Sequence, residues 1–298
     1  MSDFEDKVAV ITGAGGGLGK SHALEFASRG AKVVVNDLGG DLHGEATEQT
    51  PAMDVVAEIK GLGGEAVANG GSVAEAEGAG EMVQTAIDSF GKIDAVVNVA
   101  GILRDSYFHK MTPEQWKAVI DVHLNGTYNV ARAAMEHFRA QESGAFVHFT
   151  STSGLVGNTG QANYGAAKAG IASFTIIASK ELGRYGVTAN AVAPAARTRM
   201  TTEGTRERMG TFDEDQFDPY HPDNLGPLVA WLASDQSRAI TGRVFNAGGG
   251  HIGVSEGWRA GPAVDIDARW KAGELGDVIP QLVSDAVPIS DISGEPQS

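Results

Sequence analysis

Tyr164 and Lys168 stand four positions apart and are the pair of side chains in this sequence best suited to moving a proton. Residues at that spacing share one face of an α-helix. A free phenol titrates at about pH 10, so Tyr164 serves as a base near neutrality only where a positive charge such as that of Lys168 stabilises its anion. Thirteen positions earlier, Ser151 can hydrogen-bond an oxygen on which charge develops. Together the three side chains predict proton transfer at an alcohol or ketone oxygen.

A glycine-rich turn, Thr12-Gly13-Ala14-Gly15-Gly16-Gly17-Leu18-Gly19, follows a short apolar run and opens a helix-patterned stretch. Glycine lets the backbone turn tightly and approach a diphosphate, whose charge then lies at the helix N-terminus. The spacing is Gly-x-x-x-Gly-x-Gly rather than the common Gly-x-Gly-x-x-Gly of dinucleotide-binding proteins. The residues that we expect to contact the diphosphate are Gly13, Gly16, Gly17, Leu18 and Gly19.

Asp37 ends the second apolar run, about twenty residues beyond the glycine turn. A carboxylate at this place can accept hydrogen bonds from the adenosine ribose hydroxyls, and its charge repels the 2'-phosphate of NADP. Gly16, in the turn, offers no cation to hold that phosphate. The sequence therefore predicts NAD as the cofactor, and the oxidised nicotinamide would add a second positive charge near Tyr164.

Two other functions compete for the same motifs. Residues 14–19 followed by Lys20-Ser21 match a loosened phosphate-loop pattern, which would make the chain a nucleoside triphosphatase. Against this, Ala14 replaces the first glycine of the strict motif, and no second strand supplies a convincing magnesium-binding aspartate. A non-catalytic NAD sensor is the second alternative, but a binding module has no need of the Ser/Tyr/Lys set.

Other catalytic chemistries lack the residues that they need. The chain has no cysteine, which excludes disulfides, thiolate nucleophiles and sulfur-ligated metals. Its eight histidines are scattered, with no His-Glu-x-x-His or comparable cluster, so no metal site is predicted. Neither Ser151 nor Ser153 lies in a Gly-x-Ser-x-Gly segment, which argues against serine hydrolysis.

Short apolar runs that alternate with longer helix-patterned stretches must position these residues. The seven runs are Val8 to Ile11, Lys32 to Val35, Glu65 to Ala68, Asp94 to Val97, Ala145 to Phe149, Val187 to Val192 and Arg243 to Phe245. The alternation predicts an α/β fold, a doubly wound, seven-stranded parallel sheet of the Rossmann type with helices on both faces. Gly30 is expected just past the end of the first helix, and Thr112-Pro113 at the start of a later one.

The 298 residues suit one large α/β domain better than two separately cored units. We expect this domain over residues 1–252 and a C-terminal extension over residues 253–298. Within the domain, the polar segment of about 197–222 follows a strand, where sheets of this kind form their ligand crevice. We interpret this segment as a mobile lid over the crevice, and a plain surface loop is the alternative.

Charge and hydropathy exclude several kinds of partner. The net charge of −15 would repel the phosphate backbone of a nucleic acid, and no Lys/Arg run offsets that charge. No stretch approaches the roughly 18 consecutive apolar residues of a membrane span. The first residues form no basic-then-apolar signal, and the last form no Ser-Lys-Leu address. We therefore expect a cytoplasmic protein with no nucleic-acid partner and no membrane insertion.

The motifs, taken in chain order, resemble those of the short-chain dehydrogenases/reductases. They are the glycine turn, Asn98-Val99-Ala100-Gly101, Asn125, Ser151 and the Tyr164/Lys168 pair, and the resemblance spans residues 8 to about 250. Within that family, four segments look like the (3R)-hydroxyacyl-CoA dehydrogenase domain of peroxisomal multifunctional enzyme type 2, also called 17-beta-hydroxysteroid dehydrogenase type 4: Val35 to Gly40, Gly101 to Asp105, Gly160 to Tyr164 and Arg199 to Thr201. The tail around Gly257 to Arg259 and Asp267 to Trp270 resembles stand-alone actinobacterial members linked to steroid side-chain breakdown.

The resemblance implies a role for individual residues. Asn125 would hold the water of a proton relay, and Ser151 would orient the substrate. Tyr164 would be the acid/base, while Lys168 would position the cofactor ribose and lower the pKa of the phenol. Ser72 stands where the family has an adenine-contacting aspartate, and Thr198 would contact the nicotinamide amide. The implied cofactor contacts outside the glycine turn are Asp37, Ser72, Asn98, Ala100, Gly101, Tyr164, Lys168 and Thr198.

The resemblance also implies a small-molecule substrate, an acyl-CoA or a steroid, and a homodimer or homotetramer in which the extension packs on the core or on a neighbouring subunit. We expect oxidation of a (3R)-hydroxyacyl-CoA, including esters with a steroid-derived acyl chain, to the 3-ketoacyl-CoA. Four cations of the predicted lid would suit the CoA phosphates: Arg197, Arg199, Arg206 and Arg208. A free 17-beta-hydroxysteroid or another secondary alcohol is the alternative, because the catalytic residues act only on the carbinol.

Overall fold

An eight-stranded sheet forms the centre of the fold in a computed structural model that describes residues 4–39, 50–198, 209–213 and 216–290. The strand order is β3-β2-β1-β4-β5-β6-β7-β8. The strands are β1 Val8–Thr12, β2 Lys32–Asn36, β3 Glu65–Asn69, β4 Ala95–Asn98, β5 Gly144–Phe149, β6 Val187–Pro194, β7 Val244–Gly248 and β8 His251–Ser255. Strands β1 to β7 pair in parallel and correspond to the seven predicted runs, which confirms the doubly wound α/β class.

The prediction of seven parallel strands was wrong in one respect: the sheet has an eighth strand, β8, which pairs antiparallel with β7. Gly249, with φ of +55°, and Gly250 form the two-residue loop of this hairpin. Such a glycine pair between two runs is a hairpin signal. Strand β8 was not predicted, because Ile252 and Val254 lie on an edge strand and are 59% and 55% exposed, so no buried apolar run marks it.

Helices connect the strands over the residues that the structure describes. They are α1 Gly17–Ser28, α2 Pro51–Gly61, α3 Ala76–Phe90, α4 Pro113–Ile120, α5 Gly126–Gln141, α6 Thr152–Leu155, α7 Ala162–Leu182, α8 Gly226–Ala233 and α9 Leu275–Asp285. Asp121–Asn125 forms a π-helical turn between α4 and α5. Short 3-10 turns lie at Phe108–Lys110, Gly183–Tyr185, Pro222–Leu225, Asp235–Ser237 and Ala272–Glu274. None of the described helices is long and apolar enough to cross a lipid bilayer.

Alternate residues of each parallel strand bury against opposite faces of the sheet, as the two-residue period of a strand requires. On one face, Ala9 and Ile11 of β1 pack with residues of α1, α2 and α8. On the other face, Val8 and Val10 pack with residues of α3, α5 and α7. The two apolar layers hold the strands rigidly, so the loops at their carboxyl ends are positioned by the core.

The strand order reverses between β1 and β4, which are neighbours in the sheet. Open parallel sheets bind ligands outside the carboxyl ends of their strands at such a reversal. The glycine turn leaves β1 and Asn98 ends β4 at this point. The topology therefore brings the predicted cofactor segment and the predicted catalytic segments to one edge of the sheet.

The chain divides into two compact units, residues 1–255 and 256–298. The first contains the whole sheet, so the predicted boundary after residue 252 falls inside β8. In the second unit, α9 contains Pro280 and buries none of its residues. All the predicted site residues belong to the first unit.

Candidate active site

Close backbone contacts shape the glycine turn between β1 and α1. Gly13 and Gly17 have φ of +63° and +53°, the left-handed region that favours glycine. A Cβ on Gly19 would lie 2.2 Å from the Gly13 carbonyl oxygen, and one on Gly13 would lie 2.7 Å from the Cα of Ala100. Gly16 precedes α1, and no side chain caps this helix. Because the first N–H groups of a helix lack internal partners, the turn fits the diphosphate of a dinucleotide.

Asp37, one residue past β2, is tied to the glycine turn. Its carboxylate accepts hydrogen bonds from the N–H groups of Gly15, at 3.0 Å, and Gly39, at 3.1 Å. A Cβ on Gly15 would lie 2.7 Å from a carboxylate oxygen of Asp37, so the turn needs glycine there. The negative charge predicted to face the ribose therefore lies beside the diphosphate turn. Leu18, the remaining predicted residue of the turn, packs its side chain against the apolar core.

Three other predicted cofactor residues lie at the carboxyl ends of neighbouring strands. Thr198 follows β6 and lies next to the glycine turn. A Cβ added to Gly17 would be 3.8 Å from the Cβ of Thr198. The Ser72 hydroxyl, after β3, accepts a hydrogen bond from the backbone two residues on, at 3.3 Å. The buried amide of Asn98, at the end of β4, lies 3.1 Å from Nδ1 of His148. Thr198 is thus brought to the turn, and the side chains of Ser72 and Asn98 are hydrogen-bonded within the protein.

The segment after β4 connects the glycine turn to the catalytic residues. The Thr12 hydroxyl, at the end of β1, accepts hydrogen bonds from the N–H groups of Val99 and Ala100, both at 3.1 Å. Gly101 lies against the imidazole of His123, because a Cβ there would be 2.3 Å from Cε1 of that ring. Ala100 therefore contacts the turn, and Gly101 contacts a side chain on the catalytic side.

Ser151, Tyr164 and Lys168 form one cluster at the carboxyl end of β5. Ser151 caps α6, and its hydroxyl acts to lower the pKa of the Tyr164 phenol. Lys168, one turn further along α7, is 4% exposed. Its ammonium donates to the carbonyl of Phe149 at 2.6 Å and lies 5.6 Å from the centroid of the Tyr164 ring. The structure thus brings together the three side chains that the sequence analysis assigns to proton transfer.

Close packing of α6 on α7 sets the separation between Ser151 and Tyr164. A Cβ on Gly154, in α6, would lie 2.6 Å from the backbone nitrogen of Ala169 and 2.7 Å from Cβ of Lys168. The hydroxyl of Thr150 donates to the Lys168 carbonyl at 2.7 Å. Glycine at position 154 therefore permits the close approach that the catalytic cluster needs.

Burial dominates the titration of the cluster. It raises the pKa of Tyr164 above its ordinary value, the hydrogen bond with Ser151 opposes this rise, and the charge of Asp105 adds to it. Burial also lowers the pKa of Lys168 to about 7. That Lys168 lowers the phenol pKa stays a prediction, because burial is the largest influence on the pKa of Tyr164 in the chain by itself. Burial removes water from the phenol, while the ammonium of Lys168 donates to a backbone carbonyl instead.

Asn125 and His123 lie on different sides of the π-helical turn. The Asn125 side chain is exposed and donates its amide to Asp121 at 3.0 Å. His123 is buried, and its ring packs on that of Tyr164 with centroids 5.2 Å apart. The structure therefore pairs the Asn125 side chain with Asp121, and it places against the Tyr164 ring a histidine that was not predicted from the sequence.

A second group that the sequence analysis did not assign borders the start of α7. Gln161 donates to Asp105 and accepts from the Ser153 hydroxyl, both at 2.8 Å. The buried amide of Asn163 donates to the carbonyls of Arg104 at 3.0 Å and of Gln115 at 3.1 Å. These bonds fix the loop after β4 to the helix that carries Tyr164. Their only signal in the sequence was the segment Gly160 to Tyr164, quoted for the family resemblance.

Most of the predicted lid lies outside the described residues, including Arg199, Arg206 and Arg208. Arg197 is described, and its guanidinium donates to Asp218 at 2.7 Å and to the carbonyl of Gly210 at 2.9 Å. The ring of Phe212 lies 6.0 Å from that guanidinium. Arg197 thus holds parts of the 209–218 segment together, and its charge is paired with Asp218.

Comparison with known proteins identifies the family. A sequence model of the short chain dehydrogenase family matches residues 7–209, which include the glycine turn and the whole catalytic cluster. The chain belongs to the short-chain dehydrogenase family. Members of this family are oxidoreductases that bind nicotinamide cofactors. The resemblance predicted from the motifs is therefore confirmed.

Relatives of this short-chain dehydrogenase include both stand-alone proteins and parts of longer chains. A Mycobacterium tuberculosis protein named as a short-chain type dehydrogenase/reductase is 45% identical, over 91% of this chain and 94% of its own. Mouse peroxisomal multifunctional enzyme type 2 is 44% identical over 84% of this chain, but over only 32% of its own length. Hydroxyacyl-CoA dehydrogenase ChsB1 of Mycobacterium tuberculosis is 41% identical, over 82% and 78% of the two chains.

A solved structure gives the same result for the fold. The crystal structure of a short chain dehydrogenase from Mycobacterium avium matches with a TM-score of 0.86 and 43% identity, over 96% of this chain and 97% of that chain.

Proposed function

We propose that this short-chain dehydrogenase oxidises a (3R)-hydroxyacyl-CoA to the 3-ketoacyl-CoA with NAD. The observation that carries the proposal is the cluster of Ser151, Tyr164 and Lys168, in which Ser151 acts to lower the pKa of the Tyr164 phenol and the Lys168 ammonium lies 5.6 Å from the centroid of the Tyr164 ring. The acyl-CoA substrate is supported by relatives whose names specify hydroxyacyl-CoA dehydrogenase and peroxisomal multifunctional enzyme. Stereochemistry and the choice of NAD over NADP belong to the same proposal.

The chain's own residues account for the movement of the proton. Ser151 hydrogen-bonds the carbinol oxygen and holds it beside the phenol of Tyr164. The phenolate of Tyr164 takes the hydroxyl proton as the carbonyl forms, and the ammonium of Lys168 stabilises that phenolate before transfer. The glycine turn and Asp37 would hold the oxidised cofactor, whose nicotinamide would supply the hydride acceptor for the carbinol carbon and a further positive charge. Because burial raises the pKa of Tyr164 in the chain alone, we expect the phenol to ionise fully only with the cofactor present.

The choice of NAD is supported by Asp37. Its carboxylate is fixed beside the glycine turn by the N–H groups of Gly15 and Gly39. A 2'-phosphate on the ribose would meet this charge, and like charges at close range repel. Asp37 therefore favours the cofactor that lacks the phosphate.

The substrate is tested with matched esters and alcohols. The purified protein is assayed by NADH absorbance on (3R)- and (3S)-hydroxyacyl-CoA of rising acyl bulk, on the matching free 3-hydroxy acids and on a 17-beta-hydroxysteroid. We expect kcat/KM on the best (3R) ester to exceed that on its free acid by about a hundredfold or more, because CoA contributes binding energy remote from the carbinol. Equal kcat/KM on the free acid or on the steroid would contradict the CoA proposal, while leaving alcohol oxidation in place.

We also propose that the protein forms a homodimer or homotetramer and that residues 253–298 act as an extension of the catalytic domain. Every predicted site residue lies within residues 1–255, the first compact unit. Light scattering of the full chain tests the assembly, and a monomeric mass at assay concentration would contradict it.

A further inference from the structure

His123 lies in the middle of the π-helical turn, between α4 and α5. Such turns occur frequently at functional sites. The imidazole is 1% exposed, and its plane meets the Tyr164 ring at 87°, an edge-to-face contact. The histidine therefore packs directly against the side chain that moves the proton in the proposed mechanism.

The backbone of Ile102 holds the imidazole from one side. Nε2 of His123 lies 3.0 Å from the Ile102 nitrogen and 2.8 Å from the Ile102 carbonyl oxygen. In one neutral tautomer Nε2 accepts from the N–H, and in the other it donates to the carbonyl, so Nε2 has a partner in either form. Gly101 makes room for this anchor, because a Cβ there would lie 2.3 Å from Cε1 of the ring.

The anchored ring is uncharged at neutral pH. Burial, aided by the nearby charge of Lys168, lowers the pKa of His123 to about 3. Asp105, on the loop after β4, is a charged group that raises the pKa of the Tyr164 phenol. Asp121, which shares the π-helical turn with His123, forms an ion pair with Lys117. Because the His123 ring is neutral, it adds no positive charge to that of the Lys168 ammonium, which lies 5.6 Å from the centroid of the Tyr164 ring.

We propose that His123 is a positioning residue: anchored to the Ile102 backbone, it fixes the Tyr164 phenol in the orientation that meets Ser151. This inference rests on one part of the proposed function, namely that Tyr164 takes the proton from an alcohol substrate. A small displacement of a catalytic group lowers the rate of the chemical step strongly. Loss of the anchor therefore lowers kcat, while the glycine turn, on the other side of Ala100, continues to bind the cofactor.

The test compares three variants with the wild type on any secondary alcohol that the wild type oxidises. His123→Leu removes the anchor, whereas His123→Gln places an amide near the position of Nε2, where it can still hydrogen-bond Ile102. His22→Leu is the matched control, because His22 is equally buried, in α1, and packs on Phe149. We expect kcat to fall about tenfold or more in His123→Leu and to recover at least threefold in His123→Gln. The control is expected to keep kcat within about twofold, and all three to keep the NADH Kd of the wild type.

Any of three results would overturn the proposal: wild-type kcat in His123→Leu, no recovery in His123→Gln, or an equal loss of kcat in His22→Leu. If His123→Leu does not fold, Gly101→Ala is the second variant, since its Cβ displaces the imidazole while leaving His123 in the chain. An unchanged kcat in Gly101→Ala overturns the proposal as well. Failure of the wild type on every hydroxyacyl-CoA refutes the proposed substrate alone, because the comparison uses whichever alcohol is oxidised.

Discussion

Gly154→Ala tests whether the close packing of α6 on α7 sets the catalytic geometry. The added methyl group would lie 2.7 Å from Cβ of Lys168, whereas ordinary contact begins at 3.4 Å. The nearest atom, the backbone nitrogen of Ala169 at 2.6 Å, is 0.8 Å closer than ordinary contact, so the two helices must separate by about that distance. Ser151 caps α6 and Tyr164 lies in α7, so the distance between their hydroxyl groups increases by a comparable amount. A misplacement of this size costs about a hundredfold in the rate of the chemical step.

The assay is steady-state turnover of the best substrate together with NADH binding measured by fluorescence. We expect kcat of Gly154→Ala to fall about a hundredfold while the NADH Kd stays within about threefold, because the glycine turn does not contact α6. Gly80→Ala is the matched control: Gly80 lies within α3, and a Cβ there meets nothing within 4 Å. That variant should keep its kcat and gain about 0.5–1 kcal/mol of stability. A kcat in Gly154→Ala within about threefold of the wild type would refute the reasoning.

Two further predictions concern the cofactor and stability. Asp37→Ser removes the charge beside the turn and should shift the ratio of kcat/KM for NAD over NADP toward NADP by about tenfold or more; an unchanged ratio contradicts the role of Asp37. Burial lowers the pKa of His22, His123 and His148 from 6.5 to about 3. As the pH falls below 6.5, the unfolded chain takes up these protons first, so the free energy of unfolding should drop by about 1 kcal/mol per histidine per pH unit down to about pH 3. Denaturant unfolding at about pH 7 and pH 5 measures the drop, and His22→Leu should remove about a third of it; equal stability at both pH values contradicts the prediction.

The fold was largely predictable because buried parallel strands read as apolar β-branched runs. Turn chemistry also located helix ends: Thr112 caps α4 with Gln115 as its partner, and Gly30, just past the end of α1, has φ of +95°. Strand β8 escaped because its alternate residues face solvent. For such an edge strand, only the Gly249-Gly250 pair carried a signal.

The position of Tyr164 and Lys168 on one helix face was predictable from their spacing, whereas their immediate neighbours were not. Tyr164 and Lys168 share a face of α7 because a regular helix brings positions four apart together. Asn125 and His123 lie in a π-helical turn, whose wider repeat changes which side chain faces the core. That change of period is invisible in the sequence pattern. Likewise, the effect of burial on the pKa of Tyr164 depends on residues far apart in the chain.

Tyr164→Phe tests the central claim most directly, because it removes one oxygen atom and keeps the ring that packs against His123. With NAD and the best alcohol substrate, we expect kcat to fall about a hundredfold or more, the usual contribution of a positioned acid or base, with NADH binding unchanged. A variant that turns over at the wild-type rate would contradict the assignment of Tyr164 as the group that takes the proton.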